Sequence, residues 1–389
     1  MLGLHTTVHL TSTPLKCTPE ESARFGITFV YADNENNTIL VCIGSSLQIC
    51  DPPEAQPRLL AGNQRENGFR DGIGPEARLS TVHGIVVSKQ TVFFTDWMNN
   101  CIREIAIDGT VHTLYGAKPQ LSGVCGESGF SDGFGTSARF HRPWGICLYA
   151  NDTELLVVDG FNSCIRRIDR KRGLVTTLAL QSAKTQGTRP EMQCMFFPNT
   201  IQVGPDGLVY VGSPSSHQIL CITMSNLTFT ASDFYGDIPN TYRPVSMHIT
   251  ASGKMLVGYT GYQTPGRYMR DTKLVSWRGT QVWCGDKNTV YYRHNSKVEI
   301  CSCLSLALSQ NTRTGRSTLW ITDCQKKSRL LCLRPRINWP FLRVLLVAIK
   351  KPVHQGLFGL LPTYTHNHQT YSPVFDIIIH LLENMYFLQ

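Results

Sequence analysis

The sequence predicts an all-β protein, a β-propeller with six blades, followed by a C-terminal extension that is not a blade. Two observations lead to this prediction. One segment occurs twice, since Gly68 to Leu79 returns as Gly129 to Phe140. A pattern of two apolar stretches joined by a polar turn also recurs along most of the chain. A unit of this size cannot bury its apolar face alone, so the repetition indicates an array of neighbouring units.

The recurring pattern predicts hairpins. Their first strands begin near residues 27, 85, 146, 201, 247 and 300. The strands are alternating and rich in β-branched and aromatic residues, and no helical period separates them, which argues against a parallel βαβ sheet. Each interval has room for four strands. Six four-stranded sheets arranged radially close a ring and so hide most strand edges.

The repeated segment predicts structural roles for its polar and glycine residues. Glycines permit a tight link between blades, and short polar side chains at strand ends hydrogen-bond backbone amides. Leu79 and Phe140 are predicted to fill the gaps between neighbouring sheets. The predicted motif residues are Asp71, Gly72, Gly74, Asp96 and Asn99 in the first copy, and Asp132, Gly133, Gly135, Asp159 and Asn162 in the second.

The second copy resembles the NHL-repeat family of β-propellers. It contains Asp-Gly-x-Gly-x-x-Ala-Arg-Phe, then Pro-x-Gly-Ile (143–146), Leu-x-Val-x-Asp (155–159), Asn-x-x-Ile-Arg (162–166) and Val-x-Thr-Leu (175–178). The first copy fits well, although Val82 replaces the proline, and beyond residue 194 only the hairpin skeleton remains. The resemblance implies one of three functions: a protein-binding scaffold, an RNA-binding platform, or a metal-dependent lyase similar to peptidyl-hydroxyglycine lyase. Fold alone does not choose among them.

The charge of the chain favours the RNA alternative in its last third. The net charge is +9, and residues 267–333 hold 12 Lys and Arg against four Asp and Glu. Basic and aromatic residues alternate there, which is typical of phosphate contact and base stacking. The other interpretation is that basic loops solvate a sheet whose aromatic residues are core. The candidate RNA-binding or partner-binding residues are Arg267, Arg270, Lys273, Trp277, Arg278, Lys287, Arg293 and Lys297.

A second basic cluster spans residues 166–172 of the closely fitting repeat. It is interpreted either as an extension of a basic rim or as an exposed hairpin. The sequence does not decide between the two.

An enzyme is not favoured by the sequence. His83, His141 and His248 lie near predicted strand starts, but their offsets differ, and a zinc site needs three or four converging ligands. They are interpreted as surface or loop histidines. Nucleophile-elbow and phosphate-loop motifs are not found. We therefore expect no catalytic, metal-binding or cofactor-binding residues, no cofactor, and a non-catalytic scaffold for a protein partner.

The remaining expectations concern organisation. Residues 1–20 are predicted to be an N-terminal extension, 21–333 the propeller, and 334–389 a C-terminal extension in which 375–388 has the pattern of an amphipathic helix. The apolar runs fall short of the roughly 20 residues that a membrane helix needs. Most cysteines are expected to be buried thiols. The cellular compartment is left open.

Overall fold

Almost the whole described part of the chain is β-structure. The computed structural model describes residues 10–12, 27–50, 57–106, 108–119, 126–178, 181–182, 197–216, 218–232, 242–250, 255–264, 267–277, 281–282, 289–292, 296–299, 303–310, 317–323, 329–335, 364–366 and 369–371. Three short 3-10 turns are found among them, at Gly74–Glu76, Gly135–Ser137 and Gly160–Asn162. The all-β prediction is confirmed.

The first half of the chain forms three sheets, preceded by a short strand, β1 (Leu10–Ser12). Sheet 1 consists of β2 (Ile27–Asp33), β3 (Thr38–Ile43), β4 (Ser46–Cys50) and β5 (Arg58–Gly62). Sheet 2 consists of β6 (Gly72–Ile73), β7 (Val82–Ser88), β8 (Thr91–Asp96), β9 (Cys101–Ile105) and β10 (Thr110–Tyr115). Sheet 3 consists of β11 (Gly133–Phe134), β12 (Pro143–Tyr149), β13 (Glu154–Asp159), β14 (Cys164–Asp169) and β15 (Leu174–Thr177).

Three further sheets and two hairpins follow. Sheet 4 consists of β16 (Gln181–Ser182), β17 (Thr200–Val203), β18 (Val209–Ser213), β19 (Gln218–Thr223) and β20 (Thr228–Ser232). Sheet 5 consists of β21 (Tyr242–Ile249), β22 (Met255–Thr264), β23 (Arg267–Trp277) and β24 (Gln281–Val282). One hairpin consists of β25 (Thr289–Tyr292) and β26 (Ser296–Glu299). Sheet 6 consists of β27 (Cys303–Gln310), β28 (Ser317–Asp323) and β29 (Arg329–Pro335), with β1 at its edge. The last hairpin consists of β30 (Tyr364–His366) and β31 (Gln369–Tyr371).

The predicted hairpins are the first pairs of these sheets. β2–β3, β7–β8, β12–β13, β17–β18, β21–β22 and β27–β28 each pair antiparallel. The longer strands pair in chain order within each sheet. The two-residue strands β6, β11 and β16 join the far edges of sheets 2, 3 and 4, and β16 does so in parallel with β20. The Asp-Gly-x-Gly segments, predicted as tight links between blades, therefore also contribute a fifth strand to sheets 2 and 3.

The sheets are arranged as a β-propeller. One strand of each sheet contacts its counterpart in the next sheet. The series runs through β2, β7, β12, β17, β21 and β27, and β27 contacts β2, so the contacts close a ring. Side chains are described across nearly all strands of sheets 1 to 4, but for only a few residues of sheets 5 and 6. Four blades, formed by sheets 1 to 4, are thus described with nearly all of their side chains. The predicted number of six blades stays a prediction.

Apolar side chains fill the space between neighbouring sheets. Leu79 is fully buried in a cluster that joins sheet 1 to sheet 2, where it packs with Leu40, Leu47 and Phe94. Phe140 is fully buried in the corresponding cluster between sheets 2 and 3. Each of these two side chains contributes about 1.5–3 kcal/mol of burial energy. Both predicted packing roles are confirmed.

The N-terminal strand completes the edge of sheet 6. β1 pairs antiparallel with β29, with Leu10 opposite Pro335 and Ser12 opposite Leu333. The residues of β1 fall within the predicted N-terminal extension. β1 precedes sheet 1 in the chain, but it pairs with sheet 6, the last sheet of the ring.

Several sequence expectations concern the cysteines and the C-terminal region. Cys42, Cys50, Cys101, Cys147 and Cys164 are buried free thiols, as expected. The predicted helix at 375–388 lies outside the described residues. In the described ranges no helix is both long and apolar enough to cross a membrane.

Candidate functional site

The repeated motif residues form a buried ion-pair network in sheet 2. Arg103 of β9 has no exposed side-chain surface, and it donates to Asp96 Oδ2 and to Asp71 Oδ1, each at 2.9 Å. Its guanidinium also donates to the backbone carbonyls of Arg70 and Arg78, both at 2.8 Å. A buried charge is tolerated when it is paired and hydrogen-bonded. The network therefore joins the segment around β6 to strands β8 and β9.

Sheet 3 contains the same network at the equivalent residues. Arg166 donates to Asp159 Oδ2 at 2.8 Å and to Asp132 Oδ1 at 2.9 Å. It also donates to the carbonyls of Arg139 (2.8 Å) and Ser131 (2.7 Å). The seven-residue spacing from the strand-end aspartate to the arginine is the same in both copies.

The motif asparagines and aspartates use different backbone groups. Asn99 Nδ2 donates to Asp96 Oδ2 (2.8 Å) and to the carbonyl of Gly68 (2.9 Å), and Asn162 makes the matching pair in sheet 3. The amide of Ser80 donates to Asp96 Oδ1 at 2.9 Å. The carboxylates thus accept backbone amides, whereas the asparagines donate to carbonyls.

All four motif glycines have a positive φ that other residues rarely adopt. Gly74 and Gly135 open 3-10 turns with φ of 48° and 50°, in the left-handed region that favours glycine. Gly72 and Gly133 lie in β6 and β11 with φ of 156° and 159°, also on the positive side that disfavours residues with a side chain.

The basic cluster at 166–172 is neither a uniform rim nor a simple exposed hairpin. Arg166 is fully buried in the network above. Arg167 forms an ion pair with Glu154, and Arg170 donates to the carbonyl of Asp152. Three of its charges are thus bonded within sheet 3.

The predicted basic residues of the last third lie in sheet 5 and beyond it. Arg267, Arg270, Lys273 and Trp277 are on β23, and Lys297 is on β26. Their backbones are described but their side chains are not, and Arg278, Lys287 and Arg293 lie outside the described residues. Whether these side chains share one face stays a prediction.

A different set of residues gathers at one end of sheets 2 to 4. Val82, which begins β7, pairs with Asp96, which ends β8. Pro143 and Asp159 are related in the same way in sheet 3. The turn after β8 therefore lies beside the start of β7, and the turn after β13 lies beside the start of β12. We call the aromatic side chains at this end the aromatic rim: His83, Trp97, Trp144, Phe161 and Phe197.

The rings of the aromatic rim contact one another continuously across three sheets. His83 stacks on Trp144 with ring centroids 4.3 Å apart, and Trp97 meets Trp144 edge-on at 5.7 Å. Phe161 lies 6.4 Å from Trp97 and 5.2 Å from Phe197, again edge-on. These separations are those of favourable aromatic pairs.

Backbone bonds and a bulge hold the rim in place. The amide of Trp97 donates to the carbonyl of Thr81 (3.0 Å), and the amide of Phe161 donates to that of His141 (3.1 Å). The ladder between β7 and β8 shifts register at His83, between Val82 and Gly84. Bulges of this kind re-aim side chains and are frequent beside binding sites.

Part of the rim is exposed to solvent. The exposed fractions are 38% for Phe161, 48% for Phe197 and 39% for Met98, which follows Trp97 in the same turn. Adjoining exposed aromatic and apolar residues on a rigid surface are typical of interaction sites.

The histidines do not form a metal centre in the described structure. Burial lowers the pKa of His83 to about 4, so its imidazole is neutral at pH 7. His248 lies in β21, and burial lowers its pKa to about 4 as well. Both histidines lie on strands and are half-buried, so neither is a loop histidine. Across the described ranges, no three or more His, Cys, Asp or Glu side chains are grouped to hold a metal ion.

The sequence interpretation missed the rim because its residues occupy unspecified positions of the repeat. His83 and Trp144 are the x of x-x-Gly-Ile and Pro-x-Gly-Ile, and Phe161 precedes the motif residue Asn162. The available signal was that these variable positions carry large aromatic side chains in adjacent repeats.

Comparison with known proteins gives limited matches. No family model matches the chain. SUPPRESSOR OF QUENCHING 1, a chloroplast protein of Arabidopsis thaliana, is 32% identical over 138 residues. This match covers 33% of the present chain and 12% of the relative, so the chain spans only a small part of that protein.

Among solved structures, two lyases resemble the chain. A streptogramin B lyase has 13% identity and a TM-score of 0.47, with 84% of this chain and 98% of the lyase covered. Virginiamycin B lyase from Staphylococcus aureus has 12% identity and a TM-score of 0.47, with 84% and 99% covered. Such low values support no inference about a reaction or a ligand.

Proposed function

We propose that the chain is a non-catalytic, six-bladed propeller of NHL type that binds a protein partner through the aromatic rim. Six sheets of four or five strands, whose first strands contact one another in a ring, support the blade count. The two motif copies and their matching Arg103 and Arg166 networks support the NHL assignment. In this proposal the propeller spans residues 21–333, with β1 as an added edge strand.

The observation that carries the proposed function is the exposed part of the rim. Phe161, Phe197 and Met98 present apolar surface at one end of the ring. Aromatic residues, Met and Arg are enriched at protein interfaces, and rigid aromatic side chains supply much of the binding energy there. The rim rests on packed sheets, so little of that energy is spent on ordering it.

The chemistry of the rim favours binding over catalysis. His83, the titratable group of the rim, is neutral and contacts the indole rings of both Trp97 and Trp144. A general base needs a polar partner and access to the proton it takes. An aromatic environment of this kind suits contact with the apolar and charged groups of a protein partner.

Site-specific photo-crosslinking tests the proposal. We expect p-benzoylphenylalanine in place of Phe161 or Phe197 to give discrete protein adducts in cells. Phe134, which is 59% exposed on the edge strand β11, is the control position and is expected to give none. The rim adducts should survive ribonuclease.

Two outcomes would contradict the proposal. Adducts of equal yield from all three positions would show that the rim is not a preferred surface. Ribonuclease-sensitive adducts would instead favour RNA binding, the alternative that the basic residues of 267–297 predict. RNA affinity should then fall steeply as salt is raised.

A further inference from the structure

Arg142 is held within the aromatic rim. Its guanidinium carbon Cζ lies 4.5 Å from the ring centroid of Trp97 and 4.7 Å from that of Phe161. Guanidinium groups within about 6 Å of aromatic faces are attracted by the ring quadrupole. The two rings therefore fix the plane and position of the charged group.

The backbone of Arg142 is also constrained. Its φ is 54°, in the left-handed region, and its amide donates to Asn100 Oδ1 at 2.9 Å. Asn100 is in turn held by its own Nδ2, which donates to the carbonyl of Gly126 at 2.9 Å. Phe197 of the aromatic rim, which precedes Pro198, also has a positive φ, of 47°. Large residues rarely adopt this conformation, and such outliers cluster at binding sites.

The charge of Arg142 has no counterion in the described structure. The buried arginines Arg103 and Arg166 each pair with two carboxylates, and half-buried Arg78 pairs with Glu66. Arg142, also half-buried, makes ring contacts through its guanidinium and, within the described ranges, neither a hydrogen bond nor an ion pair. Its N–H groups remain available to an acceptor.

The ring of Trp97 on which this guanidinium lies also has a polar donor. Nε1 of Trp97 is buried and has no hydrogen-bond acceptor in the described part of the chain. The indole N–H points outward in the plane of the ring, whereas Arg142 lies over the ring face, so the guanidinium leaves this donor unused.

We propose that Arg142 receives a carboxylate of an acidic peptide segment of the protein partner, while a neighbouring apolar residue of that segment packs on Phe161 and Phe197. The planar N–H edge of arginine matches a carboxylate with two parallel hydrogen bonds. This inference rests on the proposed function and specifies its ligand.

A peptide fits the rim better than a nucleic acid does. Among the described residues, Arg142 is the cation that contacts the rings of the aromatic rim, and His83 of the rim is neutral. Binding of a polyanion by charge requires several phosphate contacts, whereas a single guanidinium flanked by exposed apolar surface suits one carboxylate with an apolar neighbour.

The test measures binding of three defined probes to the full chain. The first is a fluorescein-labelled peptide, Asp-Phe-Glu-Leu with blocked ends. The second is its amide counterpart, Asn-Phe-Gln-Leu, and the third is an oligouridylate of matched size. Anisotropy titrations use the wild type, Arg142→Gln, Arg142→Lys, and Arg172→Gln as a control at an exposed arginine at the opposite end of sheet 3.

We expect the wild type to bind the acidic peptide at least about tenfold more tightly than the amide peptide, since hydrogen bonds to charged groups contribute about 1.5–3 kcal/mol. Arg142→Gln should remove this preference, Arg142→Lys should restore only part of it, and Arg172→Gln should leave it unchanged. Urea unfolding of each variant establishes that the fold is intact.

Equal binding of both peptides by the wild type would overturn the inference, as would an unchanged preference in a folded Arg142→Gln variant. Tighter binding of the oligouridylate, lost in Arg142→Gln, would assign the site to nucleic acid. Rim crosslinks to protein that form regardless of peptide charge would sustain the proposed function while the carboxylate inference fails.

Discussion

The buried guanidinium groups of Arg103 and Arg166 each join two carboxylates and two backbone carbonyls. A single side chain thereby satisfies polar groups on the inter-blade link and on two strands. The arrangement stabilises the sheet only while every partner is present, because an unpaired buried charge is far more costly than the pair.

The first prediction concerns this dependence in sheet 3. Arg166→Ala should lower the free energy of unfolding by about 3–5 kcal/mol. Burial already raises the pKa of the Asp159 carboxyl, and the substitution removes the cation that favours its ionised form. Urea-induced unfolding followed by tryptophan fluorescence measures the loss.

Arg167→Ala is the matched control, since Arg167 is the next residue and its ion pair with Glu154 is partly exposed. An exposed pair of this kind contributes at most about 1 kcal/mol. Equal losses for the two variants would contradict a special role for the buried network.

The sequence placed Arg166 in the motif but grouped its charge with Arg167 and Arg170. Charge runs usually face water, but the neighbouring residues Ile165 and Arg166 of β14 are both inaccessible, and Arg167 is exposed. Strand alternation could not separate the buried arginine from the exposed one. Only the matching position of Arg103 in the other copy carried that information.

At the scale of strands, the sheets approach one another most closely at glycines. A Cβ atom on Gly84 of β7 would collide with the carbonyl oxygen of Trp144 in β12. The glycine of Gly-Ile is thus required by the contact between adjacent first strands. Its φ is not in the left-handed region.

The second prediction follows from this contact. Gly84→Ala should lower the free energy of unfolding by about 1–3 kcal/mol, because the added methyl group forces neighbouring backbone apart. Thermal unfolding checks it. Gly68→Ala is the control, since its Cβ would lie 3.4 Å from the nearest atom, Arg78 Cβ, and we expect a change below about 1 kcal/mol.

A Gly84→Ala variant as stable as the wild type would show that β7 and β12 can separate without cost. The close approach of these two strands would then not explain why residue 84 is a glycine. A loss in Gly68→Ala as large as in Gly84→Ala would point to a general effect of alanine in place of glycine.

Hairpins were predictable because their alternation and turn residues are local. The extra edge strands were not, since β6 and β11 have two residues each and their pairing with β10 and β15 depends on long-range register. The rim was not predictable for a related reason. Its side chains are brought together by the approach of separate sheets, which no single repeat encodes.

At the scale of the whole molecule, the ring is completed by two segments that are distant in the chain. β1 pairs with β29, and β27 contacts β2. These are the contacts that a closed propeller needs in order to leave no sheet unpaired at the join.

The third prediction tests this closure. Deleting residues 1–12 should lower the free energy of unfolding by on the order of 2 kcal/mol, because a few backbone hydrogen bonds of about 0.5–1.5 kcal/mol each are lost. Hydrogen exchange should accelerate in β29. Deleting residues 1–9, which leaves β1 intact, is the control.

If both deletions have the same stability and the same exchange in β29, the pairing of β1 does not contribute to closure. The ring would then be held by the contact between β27 and β2 alone.

The pairing of β1 with β29 also has a consequence for biosynthesis. During translation Leu10 is synthesised long before Pro335, which lies opposite it in the sheet. β1 therefore lacks its partner strand β29 while sheets 1 to 5 are synthesised. Domains commonly fold as they emerge, at about 5–20 residues per second. For this protein the final step cannot occur until the distal strand has left the exit tunnel, and chaperones that shield nascent strand edges are expected to act during that interval.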